Sequence, residues 1–307
     1  MSTDQPSIET PQPVASVRPE VSGALLARHL NDVETHIKRL PPLSTTIHEI
    51  LAQLRDVDTD MRWLELHISS DPSLTTRLLK MANSAFYCPR SEIYTVPRAL
   101  MTLGFRTSLN VILAASMRSA FATTVAIPGF QPRGLMRHCV AVGTGAAALG
   151  RTIPALQPVA DKLFVAGLLH DIGRVALAPL YGEYQEELCA RSGTHAPTPE
   201  IEKEIFGIDH AEAGAMVVQQ WKLPGPLDEP ITHHHDAIAT LANHPLVLGV
   251  RAADLFVLGK GYAMIQPCEV RIELDAVLAA LATDLDQVCA ALGNFEAASD
   301  SLLGAVA

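Results

Sequence analysis

Seven side chains of this sequence carry metal-ligating groups among apolar neighbours: His138, His170, Asp171, His210, His234, His235 and Asp254. Imidazole and carboxylate are the donors that suit first-row transition metals such as iron, manganese and zinc. Asp171 has the greatest need of a partner. It stands with His170 in the middle of LFVAGLLHDIGRVALAPL, residues 163–180, which is apolar on almost every side, and a carboxylate there is strongly disfavoured unless a cation or several donors neutralise it. Seven donors exceed what one tetrahedral ion needs. The set implies two divalent ions about 3.5–4 Å apart with Asp171 bridging them. One ion takes His138, His170, Asp171 and Asp254; the other takes Asp171, His210, His234 and His235. Plainer alternatives stand beside each residue: Asp171 as a helix-end group bonding backbone amides, His138 as a core histidine bonded to a carbonyl, and the histidine run as a solvated loop.

Arg174 follows His170 by four residues, one turn along the same helix face, so its guanidinium could reach an anion held at the metals. The alternative is an ordinary ion pair with a neighbouring carboxylate. His233 and Asp236 are either orienting groups for the ligands or surface residues.

Separate elements must deliver these donors. Residues 163–180 read as a helix buried on all sides. A long helix from about Gly134 to Leu149 places His138 on one face with Leu135, Val142, Gly145 and Leu149. Asp209 with Glu212 forms a capping box, so a helix starts there with His210 in its first turn and runs to Trp221, where Leu223-Pro224-Gly225 stops it. His234 and His235 lie in THHHD, residues 232–236, after Pro230. Pro245 opens a helix closed by Gly259, with Asp254 on the face of Leu246, Val250 and Val257. Upstream, Ile47, Ile50, Leu51 and Leu54 keep helical spacing. Asp71 caps a helix that has Pro72 at its first position, and further helices cover Val96 to Leu103 and Thr107 to Phe121. Residues 182–198 read as polar and loop-rich, and Thr198-Pro199-Glu200 starts another short helix. There is no strand alternation and no fixed repeat. The expected fold is all-α.

Residues 1–21 hold too little apolar surface to offset their ordering entropy and read as a disordered tail. An N-terminal helical part covers 22–130, a second helical part with the ligand constellation covers 131–260, and a helical extension covers 261–307.

The 307 residues are 48% hydrophobic and 18% charged, the balance of a folded globular chain. Lys plus Arg number 23 against 33 Asp plus Glu, a net charge of -10, and the basic residues form no run. That disfavours direct binding to nucleic acid or anionic membranes. No charge-free apolar stretch of membrane-spanning length and no signal-peptide core is present, so the expected location is the cytoplasm. Five cysteines without a Cys-x-x-Cys pair read as reduced core residues.

The ligand order His138, His170-Asp171, His210, His234-His235 and Asp254 resembles the HD superfamily of metal-dependent phosphohydrolases, and in detail its HDOD branch. LPPLSTTIHEIL (40–51), ISSDPSLTTRLLKMANSAFY (68–87), RALMTLGF (98–105), AGLLHDIGRVAL (166–177), FGIDHAEAGAMVVQQWKLP (206–224) and THHHD (232–236) look like the blocks of that branch. The resemblance covers roughly residues 38 to 260. It implies an N-terminal helical subdomain packed on an HD-like helical subdomain, and a bacterial signalling or regulatory module without demonstrated catalysis, acting in trans on a protein partner. The chain departs from the HD-GYP phosphodiesterases in two places. AIATLANHPLV (237–247) follows the histidine run where a Gly-Tyr-Pro loop is expected, and Arg174 replaces the usual lysine after HDIG. Both count against cyclic-di-GMP hydrolysis.

Three functions fit these residues. The first is a regulatory module acting through a protein partner, with any metal serving structure or sensing. It is supported by family-like blocks in the half of the chain that holds no candidate ligand. The second is a phosphohydrolase or phosphodiesterase with a nucleotide or phosphate ligand, in which paired ions activate water and Arg174 contacts the phosphate. The third is a di-iron sensor of oxygen or redox state.

Overall fold

The computed structural model describes residues 22–42, 48–49, 51, 61–122, 126, 131–193, 196–223, 225–260 and 270–306. Among the described residues the protein is built of α-helices, with two short 3-10 turns and no strand. The expected tail, 1–21, and most of the helix expected around Ile47 to Leu54 lie outside them.

The first helices are α1 (Gly23–Arg39), α2 (Met61–Ser69), α3 (Pro72–Ala82) and α4 (Val96–Phe121). Asp71 caps α3 as expected, its Oδ1 accepting from the amides of Ser73 at 2.8 Å and Leu74 at 3.2 Å. The two helices expected over 96–121 form one element broken at Gly104, whose φ of 75° lies outside the helical region. Val96–Arg118 has the length and apolar composition of a membrane span, but half of its apolar window is buried in the protein, as in a core helix; a bent pair at Glu273–Ala280 and Leu285–Val306 meets the same criterion only if taken together.

The centre of the molecule is α5 (Pro132–Thr152). Against it pack α4, α6 (Leu163–Leu169), α13 (Pro245–Gly259), α15 (Leu285–Ala291) and α16 (Phe295–Val306). The crossing of α5 and α6 depends on glycine: a Cβ on Gly167 would lie 2.8 Å from the Cα of Gly143. This close approach brings the helix of His138 onto the helix that ends at His170.

Residues 163–180 are not the single helix expected. After α6 the chain tightens to i→i+3 bonds, Ile172 N to Leu169 O at 2.9 Å and Arg174 N to Asp171 O at 3.0 Å. Two short helices follow, α7 (Gly173–Ala176) and α8 (Ala178–Glu183). Pro179 lacks an amide proton and its ring would collide with a preceding carbonyl, so α7 cannot continue through it. The passage 182–198, expected to be loop-rich, contains α9 (Gln185–Ser192), with Glu186 and Glu187 favourably placed in its first turn. Next come α10 (Pro199–Phe206), α11 (His210–Trp221), α12 (Asp228–His233) and, after α13, α14 (Val270–Ala280). Thr198 caps α10, and the Asp209–Glu212 capping box of α11 is present in both directions.

The cysteines depart from expectation. Cys88, Cys139, Cys189 and Cys289 are free, but only Cys139 is buried, while Cys88 and Cys289 are exposed. Cys88 follows the turn after α3, and Cys289 lies on the solvent side of α15. Cys268 lies outside the described residues.

Candidate metal centre

Five elements meet at Asp171. His138 reaches it from α5, His170 and Asp171 lie in the tightened turn after α6, His210 opens α11, His234 and His235 follow α12, and Asp254 sits on α13. All but His235 are buried, none more than 4% exposed. Gly173 makes the closest of these approaches possible, since a Cβ there would stand 1.7 Å from the carbonyl oxygen of His210.

The seven donors fall into two groups that share Asp171. In one, ligand atoms of His138, His170 and Asp171 lie within 4.8 Å of each other; in the other, those of Asp171, His210, His234 and His235 do. Asp254 joins the first group, its Oδ1 lying 3.2 Å from His138 Nε2 and 4.0 Å from His170 Nε2. Asp171 faces both ways. Its Oδ2 lies 3.8 Å from the Nε2 atoms of both His138 and His170, while its Oδ1 lies 3.2 Å from His210 Nε2 and 3.7 Å from His234 Nε2.

Bonds on the far side of the rings fix which nitrogen is turned inward. His170 Nδ1 donates to the carbonyl of Gly167 at 2.8 Å, and His234 Nδ1 donates to that of Pro230 at 2.9 Å. Each Nε2 therefore presents a lone pair to the centre. His234 Nε2 is buried without any hydrogen-bond partner. A buried lone pair aimed at a carboxylate oxygen is a place where a cation fits and a proton donor is missing. The residues suit a metal by this test.

Burial pushes His170 down to about 4, overcoming its two carboxylate neighbours, and it lowers His234 as well. Both stay neutral and ready to ligate. Burial also opposes charge on His210, and Arg174 adds to that, yet Glu202 and Asp171 draw it up to about 9. Burial alone would raise the two acids; Arg174, His170 and His210 instead hold Asp171 well below the usual carboxylate range, and His138 holds Asp254 at about 2.

Arg174 is 3% exposed and already engaged. Its Nε donates to Asp171 Oδ2 at 2.9 Å, and its Nη1 to the carbonyl of Pro197 at 3.0 Å and to Glu202 Oε1 at 3.1 Å. This is the ion-pair geometry. His233 and Asp236 bond each other at 2.9 Å on the exposed surface.

Two further residues belong to the centre. Glu202, wholly buried on α10, accepts from the His210 ring through Oε2 at 2.6 Å. Arg251, one turn before Asp254 on α13, reaches His235. Both carry a signal in the sequence: Glu202 shares its helix face with Ile205 and Phe206, and Arg251 lies within a helix buried over nearly its whole length. A charge on an apolar face is as informative here as a histidine.

The sequence profile of the HDOD domain matches residues 40–237. A crystal structure of an HDOD domain protein of unknown function from Geobacter sulfurreducens superposes with a TM-score of 0.71 at 22% identity, covering 90% of this chain and 99% of that one. A candidate signal transduction protein from Marinobacter aquaeolei gives 0.69 at 22% identity, over 94% and 68% of the two chains. A candidate phosphohydrolase from Shewanella amazonensis gives 0.65 at 21% identity, over 89% and 97%. An uncharacterized protein of Treponema pallidum is 25% identical over 205 residues, which are 66% of this chain but only 39% of that longer protein. The matched profile spans well over half of the sequence: the chain belongs to the HDOD domain family.

Proposed function

We propose that this protein is a bacterial signalling module that works by contacting a protein partner, with its metal centre an internal element of structure or sensing rather than a catalytic site. The observation that carries this reading is the burial of the centre. Every ligand except His235 is at most 4% exposed, and the cation best placed to bind a phosphate, Arg174, already holds Asp171 and Glu202. A phosphate ester would need open coordination positions and a donor released from the protein. The description of the Marinobacter aquaeolei neighbour as a candidate signal transduction protein is in keeping with this reading.

Two divalent ions, iron, manganese or zinc, would be held by His138, His170, Asp171 and Asp254 on one side and by Asp171, His210, His234 and His235 on the other. When bound, they supply positive charge between buried carboxylates, and in an open site they would supply Lewis acidity. His170 and His234 keep their lone pairs inward through bonds to backbone carbonyls, and Arg174 orients Asp171.

A second reading, a metal-dependent phosphohydrolase, is favoured by the two ligand groups sharing one carboxylate, and two of the Shewanella amazonensis neighbours are described as candidate phosphohydrolases. Elemental mass spectrometry of untagged protein purified without chelator, with Asp171→Ala alongside, tests the centre; a panel of nucleotides and phosphomonoesters tests catalysis. The proposal expects close to two metal equivalents, lost in the variant, with no phosphate release. Turnover by the loaded wild type that vanishes in Asp171→Ala would replace it with the enzyme reading.

A further inference from the structure

Glu202 is 0% exposed and lies eight residues before His210, on a different helix. Both of its oxygens are occupied. Oε2 accepts from the backbone amide of His210 at 2.8 Å and from its ring Nδ1 at 2.6 Å. Oε1 accepts from Arg174 Nη1 at 3.1 Å and from the hydroxyl of Tyr181, itself wholly buried. A carboxylate in the interior is tolerated when its lone pairs are filled in this way. What sets Glu202 apart is whom these donors serve.

His210 has two ring nitrogens and one proton in its neutral form. Glu202 accepts at Nδ1, so the proton is held there and Nε2 is left to face Asp171 Oδ1 at 3.2 Å. Arg174 has one guanidinium with two directions. Its Nη1 is held by Glu202 while its Nε grips Asp171 Oδ2 at 2.9 Å, which leaves Oδ1, the other carboxylate oxygen, to face His210. Capping delivers Glu202 to this point: Thr198 starts α10, Gly207 ends it in the left-handed region, and the Asp209 capping box starts α11 at His210.

We propose that Glu202 is a positioning residue of the metal centre, one carboxylate that fixes the ring state of His210 directly and the orientation of the bridging Asp171 through Arg174. It touches no metal itself. The inference rests on the reading that the centre holds metal, and it assigns the origin of the site's geometry to a residue outside the ligand set. Removing such a partner weakens metal binding by about 10–100-fold while leaving the ligands in place.

The test compares metal-free wild-type full chain with Glu202→Gln by calorimetric titration with Co²⁺ and by the visible spectrum of the Co²⁺-loaded proteins, with circular dichroism as the check on folding. The glutamine keeps the shape but offers a single acceptor oxygen. The expected result is a 10–100-fold loss of Co²⁺ affinity in a folded protein together with a changed ligand-field spectrum. A folded Glu202→Gln with wild-type affinity and an unchanged spectrum overturns the proposal. A second measurement needs no variant: long-range ¹H–¹⁵N correlation of the Zn²⁺-loaded wild type should show His210 protonated at Nδ1, and a His210 proton at Nε2 overturns the proposal even if Glu202→Gln fails to fold. Wild-type protein that takes up neither ion removes the metal reading and this inference together, whereas wild type that binds metal beside an unaffected Glu202→Gln removes this inference alone.

Discussion

Nη1 of Arg251 lies 2.9 Å from Nδ1 of His235. A guanidinium only donates, so His235 accepts there and the proton of its neutral ring sits on Nε2. Burial, with His234, His210 and Arg251 nearby, holds His235 well below the usual histidine range, so the ring is neutral. Its Nε2 faces Nε2 of His210 at 2.9 Å. With its proton held on Nε2, His235 must give that proton up or reorient before it can ligate.

The two ion positions are therefore unequal. Arg251→Met keeps most of the apolar stem but removes a charge-assisted bond worth about 1.5–3 kcal/mol, which should tighten the second equivalent of metal by about tenfold or more and leave the first unchanged. Calorimetric titration of the metal-free protein separates the two steps. A second step that stays the same or weakens means that Arg251 supports His235 as a ligand instead of restraining it.

Gly173 is the narrowest point of the site. A Cβ there would meet the carbonyl oxygen of His210 at 1.7 Å and the amide of Gly214 at 2.6 Å, both backbone atoms that cannot swing aside. Gly173→Ala should lose on the order of 3 kcal/mol or more of unfolding free energy and bind metal poorly, because α11 must retreat from Asp171. Gly304, with nothing within 4 Å of an added Cβ, is the control; Gly304→Ala lies inside a helix and should gain about 0.5–1 kcal/mol. Equal stability of the two variants in urea would contradict this account of the packing.

Metal-free protein should lose stability as the pH rises from neutral. His210 is raised to about 9 in the folded protein, against an ordinary value near 6.5. A raised histidine contributes stability that is fully present below 6.5 and is lost as the pH climbs through 9. His138, raised by its bond to Asp254 against the pull of burial, acts in the same direction. For His210 the loss should be on the order of 2 kcal/mol in urea unfolding of chelator-treated protein between pH 6.5 and 9.5. Metal competes with those protons, so metal affinity should rise over the same interval. Stability that is flat in wild type, or that falls equally in His210→Gln, rules out His210 as the source.

Much of this architecture is legible from local chemistry. The starts of α3, α10 and α11 follow from Asp71, Thr198 and Asp209, whose side chains bond amides two or three residues away, a relation within reach of sequence alone. The donors that meet at Asp171 stand out because imidazole and carboxylate on apolar faces need compensation. Glu202 is the weaker signal, because a lone charge on the short α10 also reads as solvated and only the packing of α10 on α11 shows otherwise; Arg251, inside the apolar α13, is the clearer one. The tightened turn at 170–172 is tertiary in the same sense: the backbone stays near helical values while its bonds shift register.

Outside the metal centre, the block ISSDPSLTTRLLKMANSAFY owes part of its character to Asn83. Its Oδ1 accepts from the amide of Ile93 at 2.8 Å, and its Nδ2 donates to the carbonyls of Ile93 at 2.8 Å and Leu79 at 3.0 Å. One amide thus closes residues 84–92 into a loop and ties both ends to α3. The loop leads to Tyr94, 73% exposed, and then to Met101, 85% exposed, on the first turns of α4. Asn83→Ala leaves the amide and carbonyl of Ile93 without that partner and should cost about 1–3 kcal/mol. The effect should stay local: amide hydrogens of 84–95 exchange faster by about tenfold or more, while metal content and exchange in α11 and α13 keep their wild-type values. If exchange rises equally around His210 and Asp254, the loop and the metal centre open as one unit, and the separation drawn between the N-terminal helices and the site is wrong.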